Sequence, residues 1–217
     1  ISMPKLQLDT FFLGFSFPLS LITFSLIFSF MKDSEKPGDQ ATKEAGFWLV
    51  NLGVIIFFVF IIFEKLSPQV LVTSILFFTV VAIFKLFLRL GRNIQQKHFL
   101  ISGMGFLGVT AISGIAYILL NFSYHYTPEK YKWLLQLHAF ASLYGWNLCG
   151  LAVICRYSDF PVQLHSKPVI LLHWVVVLLF APLGKHYLPF AALALVGYVL
   201  ILFFLLLSKR QVEPINQ

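Results

Sequence analysis

His138, Ser142, Gly145 and Cys149 recur at four, seven and eleven residues along LHAFASLYGWNLCGLAVICR, a spacing that sets them on one face of an α-helix. The residues around them are almost all apolar, so the stripe lies in a segment long enough to cross a bilayer and must face protein or water. Imidazole in that setting suits a metal ligand, a haem ligand or an acid and base working near neutral pH. Because a full charge at mid-bilayer costs about 2.5 kcal/mol or more, an ionisable residue inside a span marks a functional candidate. The simpler account is packing: Ser, Gly and Cys admit a neighbouring helix, and the histidine hydrogen-bonds across it. Trp146 and Asn147 fall on other faces, where the buried amide needs a partner of its own.

The elements that would position this stripe follow from composition. Of the 217 residues, 59% are hydrophobic and only 12% are charged, with 25 phenylalanines, which excludes an ordinary soluble domain and predicts an all-α polytopic membrane protein. Uncharged runs place seven spans near 11–31, 47–63, 68–90, 99–121, 134–156, 168–186 and 188–207, within one transmembrane domain. The runs are continuously apolar rather than alternating, so helices are expected and a barrel is not. A short turn at Gly184-Lys-His-Tyr-Leu-Pro189 makes the last two spans the weakest pair, and a re-entrant arrangement there would reduce the count to six. Residues 32–46, rich in Lys, Glu, Asp, Gly and Pro, read as a polar cytoplasmic loop. The first span is long and lacks a small-residue cleavage site before the charged segment, so it reads as a helix rather than a signal peptide.

Charge sets an expected orientation. Lys32, Lys36, Lys43, Lys85, Arg89, Arg92, Lys97, Arg156, Lys167, Lys209 and Arg210 fall to one side, whereas Lys5, Lys65, Lys130, Lys132 and Lys185 fall to the other. The positive-inside rule then puts the N-terminus outside and the C-terminus in the cytoplasm, in a plasma (inner) membrane. The net charge of +7 is accounted for by a basic fringe on anionic lipid, and no nucleic-acid partner is expected. Lys85, Arg89 and Arg92 form a basic stripe at helical spacing that, with Arg156, is a candidate site for an anionic lipid or substrate; snorkelling anchors are the plain alternative.

On the opposite side the six histidines contribute His125, His138 and His186, near Tyr124, Tyr126 and Tyr187, with Glu64 at the end of the second span. Three imidazoles at one depth are candidate metal ligands, and His138 and Glu64 are the candidate catalytic groups; interfacial Tyr and His are also common at headgroup level. His173 lies on the basic side, about a turn and a half into its span beside Trp174. Cys149 and Cys155, six residues apart, point in different directions and read as packing residues. Gly103-Met-Gly-Phe-Leu-Gly108 matches a dinucleotide-binding string, yet it sits inside an apolar helix and reads as packing. Asn121-Phe-Ser123 is a glycosylation sequon of low statistical weight.

The string His138-Ala-Phe-Ala-Ser-Leu-Tyr-Gly145-Trp146, followed by Gly150 and Arg156, resembles a haem-ligand helix of the haem-copper oxidase catalytic-subunit superfamily, over about 20 of the 217 residues. Phe140 stands where that family's pattern has a second histidine. The resemblance implies that His138 matches a metal-binding histidine and that a metal ion or haem b is the cofactor, with His125 or His186 as a second axial ligand and Tyr124 beside the group. Absent motifs narrow the rest: there is no HExxH, only nine acidic residues, no lysine in 188–207 for a retinal Schiff base, and no mid-membrane carboxylate for a proton pump. Three function classes remain. One is an outer-side histidine and tyrosine site acting in redox or on a lipid-soluble substrate; the others are a small transporter or channel, and an accessory subunit packed on membrane-protein partners.

Overall fold

The computed structural model describes residues 12–122, 127–162 and 167–208, and all of its regular structure is helical. Seven helices run in sequence: α1 Gly14–Ser29, α2 Pro37–Ile62, α3 Leu66–Leu90, α4 Gln96–Leu120, α5 Glu129–Cys155, α6 Lys167–Gly184 and α7 Leu188–Leu207. Among the described residues, α2 to α7 are long and apolar enough to cross a membrane, and α1 is shorter. The chain is a multi-pass α-helical membrane protein. Its short member is the first helix, not the pair around Lys185: α6 and α7 are separate helices, and Pro189 opens α7 in the first turn, where a missing N–H costs nothing.

The polar stretch 32–46 is not a loop throughout, because α2 begins at Pro37 and carries the helix through it. Pro37 supplies a preset φ at the start and Asp39 complements the positive end of the helix. Ala41, Lys43 and Glu44 favour helix, and Gln40 donates to Glu44 one turn on, so charge content alone misleads here. The same logic starts α5 several residues before 134, at Pro128 and Glu129.

Packing divides the helices sharply. Over the apolar stretch of α5, 56% of residues are buried, against 11% for α2. α5 touches α1, α4, α6 and α7, whereas α2 leans chiefly on α3. Glycine makes the closest of these approaches possible: a Cβ at Gly103 of α4 would lie 2.7 Å from the Cβ of Cys149, and one at Gly150 of α5 would collide with Thr23 of α1. Cys149 is thus fully buried packing, and within the Gly103–Gly108 string Gly103 and Gly105 are close-packed positions, a Cβ at Gly105 lying 2.8 Å from the Trp174 ring, whereas a Cβ at Gly108 would meet nothing within 4 Å.

α1 begins π-helical over Phe12–Ser16, and two longer helices are rewound within their length. α5 is π-helical over Phe140–Asn147 and α6 over Val176–Phe180, and these segments face each other. In α6 the cause is Pro182, which lacks the N–H that would reach back four residues and whose ring crowds that turn.

The basic end of the bundle is stitched together. Lys32 N–H donates to the Leu90 carbonyl and Arg92 N–H to the Phe30 carbonyl, both at 2.8 Å, forming a bridge between Met31 and Gly91. Arg89 pairs with Asp39, which also accepts from Ser34 at 2.6 Å. Arg156 spans from Asp159 at 2.9 Å to the carbonyls of Leu205 and Ser208 at 3.1 and 2.9 Å, capping the C-terminal end of α7.

Candidate functional site

A cavity of ≈ 220 Å³ lies between α1, α2, α3, α4 and α5 and is partly open to the exterior. Its wall is overwhelmingly apolar, with Phe24, Phe57, Phe77 and Leu107 among the lining residues, and a few polar side chains project into it. Ser16, Ser20, Thr73, Thr110, His138, Ser142 and Trp146 are those groups. A cavity of this kind, apolar with a few convergent polar groups, is the usual form of a small-molecule site.

Most of the hydroxyls are already engaged. Thr73 donates to the Gln69 carbonyl at 2.7 Å, Ser20 to the Ser16 carbonyl at 2.9 Å and Thr110 to the Phe106 carbonyl at 2.9 Å, each bonding back along its own helix. Trp146 Nε1–H donates to Ser20 Oγ at 2.8 Å, and the Asn147 amide donates to Ser16 Oγ at 2.8 Å. The buried amide therefore finds its partner on α1, while its Oδ1 has no hydrogen bond.

His138 is held differently. Its Nδ1 lies 2.8 Å from the Thr110 carbonyl oxygen, and a carbonyl only accepts, so Nδ1 carries the proton and Nε2 keeps a free lone pair. Gly114 makes room for the ring, since a Cβ there would stand 3.0 Å from both Nδ1 and Cε1. Among the described residues Nε2 has no partner, and neither has Ser142 Oγ one turn along, although Ser142 is only 7% exposed.

The expected stripe is divided by the π segment. His138, Ser142 and Trp146, at successive intervals of four, line the cavity, because a π turn takes more than four residues and keeps i+4 positions on one face. Gly145 and Cys149 rotate away: Gly145 lies under the Phe106 ring and Cys149 against Gly103. Trp146 is thus a cavity residue, contrary to its expected placement on another face.

Other expected site residues are dispersed. His186 is exposed in the turn after α6, and Glu64 is exposed in the turn after α2 with a φ of 54°. His125 and Tyr124, with Tyr126 and Ser123 of the sequon, lie outside the described residues, as does His165. Among the described residues no group of three or more His, Cys, Asp or Glu side chains is placed to hold a metal ion. Lys85 and Arg89 are exposed on α3, with Arg89 paired to Asp39, and Arg92 lies exposed beyond the end of that helix, outside the expected stripe, while the guanidinium of Arg156 is committed to Asp159 and α7. Neither Lys85 nor Arg156 lines the cavity.

His173 is the most enclosed of the described histidines. It is fully buried between Phe99 and Phe106, with ring centroids 6.0 and 4.7 Å away, and its Nε2–H donates to the Tyr144 carbonyl at 2.7 Å. Trp174 beside it stacks on Phe106 at 4.2 Å and donates to Ser102 Oγ at 2.7 Å. This cluster cements α4, α5 and α6 and has no part in the cavity.

Thr110, Gly114, Ser16 and Ser20 join the site without any motif of their own in the sequence. The signal they offer is pairing at i, i+4 of small residues within otherwise apolar spans, Ser16 with Ser20 and Thr110 with Gly114. No family model, curated protein or solved structure matches this chain.

Proposed function

We propose that the protein holds a small lipid-soluble molecule in the cavity between α1 and α5, with His138 as its polar contact, and acts on or hands over that molecule within the bilayer. The observation that carries this reading is the fixed ring of His138, whose Nδ1 is committed to Thr110 while Nε2 is open at the cavity wall. An engineered cavity of about 150 Å³ already takes up benzene, so ≈ 220 Å³ suits a compact one- or two-ring body. The orientation that accompanies this reading places the basic end in the cytoplasm, the N-terminus outside, and the cavity toward the outer leaflet of the plasma membrane.

The same ring orientation would serve a metal or haem iron at Nε2, the second reading. Two features favour the organic ligand. No group of three metal-binding side chains is present among the described residues, and a porphyrin brings four pyrrole rings to a space suited to one or two.

The test is solvent extraction and mass spectrometry of the purified protein, wild type beside His138→Ala, with an absorption spectrum and elemental analysis of both. A compact apolar compound near one per chain in the wild type, reduced at least tenfold in a variant with the same melting temperature, is the expected result. Identical extracts from the two proteins would sink the proposal, and a Soret band or stoichiometric metal lost with His138 would replace it with the second reading.

A further inference from the structure

Two unpartnered polar atoms in the same cavity wall carry more information than the cavity itself. His138 Nε2 can only accept a hydrogen bond, because its proton sits on Nδ1 facing the Thr110 carbonyl. Ser142, one turn further along α5, keeps a hydroxyl that is bonded to nothing among the described residues. That is unusual in this bundle: Ser20, Thr23, Thr110 and Ser113 each donate to a carbonyl of the preceding turn. Ser142 lies within the π segment Phe140–Asn147, where the rewound backbone alters the i−4 geometry, and its hydroxyl proton remains available.

A polar side chain this deeply buried, with no partner, leaves part of its hydrogen-bonding energy unmet until something enters the cavity. One atom asks for a donor and the other offers one. We infer that the cavity selects an alcohol or phenol on a compact apolar body, its hydroxyl donating to His138 Nε2 and accepting from Ser142 Oγ. A hydroxyl is the smallest neutral group that does both. A ketone or an ether only accepts, so it leaves Nε2 unmet; a hydrocarbon satisfies neither. A carboxylate is refused because, among the described residues, the wall offers no lysine or arginine and is mostly apolar. This inference rests on the proposed ligand-binding role of the cavity and adds the ligand's chemical class.

The test uses three probes of nearly equal size and shape: borneol, camphor and bornyl methyl ether, which share one bicyclic skeleton and carry a hydroxyl, a ketone and an ether. Each is titrated into the detergent-solubilised full chain, with affinity read from ligand-dependent thermal stabilisation at fixed detergent concentration. Borneol is expected to bind at least tenfold more tightly than the other two in the wild type. His138→Phe should erase that preference while camphor binding stays within about threefold, which also shows that this variant folds, and Ser142→Ala, which removes the donor that serves hydroxyl and ketone alike, should weaken borneol and camphor together. Equal affinity for the three probes in the wild type would overturn the hydroxyl inference and leave the cavity reading intact. Absence of binding by all three would overturn both.

Discussion

α5 and α2 are both long, apolar and membrane-crossing, yet they do opposite work. α5 is the least apolar of the six long spans, buried on several sides, rewound in its middle, and the source of His138, Ser142 and Trp146. α2 offers Trp48, Leu49, Leu52, Ile55, Ile56 and Val59 to its surroundings and meets mainly α3. In lipid there is no hydrophobic drive to bury Leu against protein, so an exposed apolar face is at rest there. Close packing and polar partners, not apolar content, therefore decide which helix becomes the centre. The lesson is that hydropathy identifies the spans and small or polar residues rank them.

Four measurements would break or sharpen that contrast. Gly145→Val places a branched side chain into the Phe106 ring and should cost about 3 kcal/mol or abolish folding, whereas Gly38→Val at the start of α2, where an added Cβ meets nothing within 4 Å, should be near neutral. Unfolding of both variants in mixed micelles decides it, and equal losses would dissolve the distinction between centre and periphery. Next in size, Arg156→Ala should cost about 2 kcal/mol, because the carbonyls of Leu205 and Ser208 lose a charged donor. Arg156→Lys should recover only part of that in the same assay, since one ammonium cannot reach both carbonyls and Asp159 as the planar fork does.

Gly114→Ala comes third. Its methyl would crowd the His138 ring against which Gly114 now packs, so stability should fall by about 1 kcal/mol. Retention of the extracted ligand should fall about tenfold in the same preparation, and an unchanged extract would show that the ring's position is immaterial. Smallest of all, Leu52→Ala on the exposed face of α2 should change stability by less than about 0.5 kcal/mol. A loss above 2 kcal/mol would mean that this face is covered in the assembled protein.

The class of fold was legible from the sequence because a span needs only length and apolarity, and the boundaries of α3, α4 and α7 fall within a few residues of those expected. Residues 32–46 misled because charge was read as solvation, while Pro37, Asp39 and Ala41 were already signalling a helix start. That His138 must face protein or a cavity was legible, and so was Asn147's need for a partner. The identity of that partner was not, because Ser16 is 131 positions away and nothing local ties the two together. The division of the stripe was equally hidden: helical spacing assumes a uniform turn, and the π segment moved Trp146 into the cavity wall and Gly145 and Cys149 out of it. His138 and His173 look alike in sequence, each a lone imidazole in an apolar span. Only the surroundings separate them, an open lone pair at a cavity wall in one and an aromatic box in the other.

The bridge between Met31 and Gly91 fixes where the bundle yields. Its two backbone bonds lash the end of α1 to the end of α3, and Asp39 with Arg89 adds a second tie at the same level. α1 and α2 touch only sparingly along the rest of their length, where both line the cavity. α1 and α2, each tied to α3 at that end, part most easily at the other, like the blades of a pair of shears. On the proposed ligand-binding reading, that seam is the side door through which a molecule dissolved among the acyl chains would come to His138.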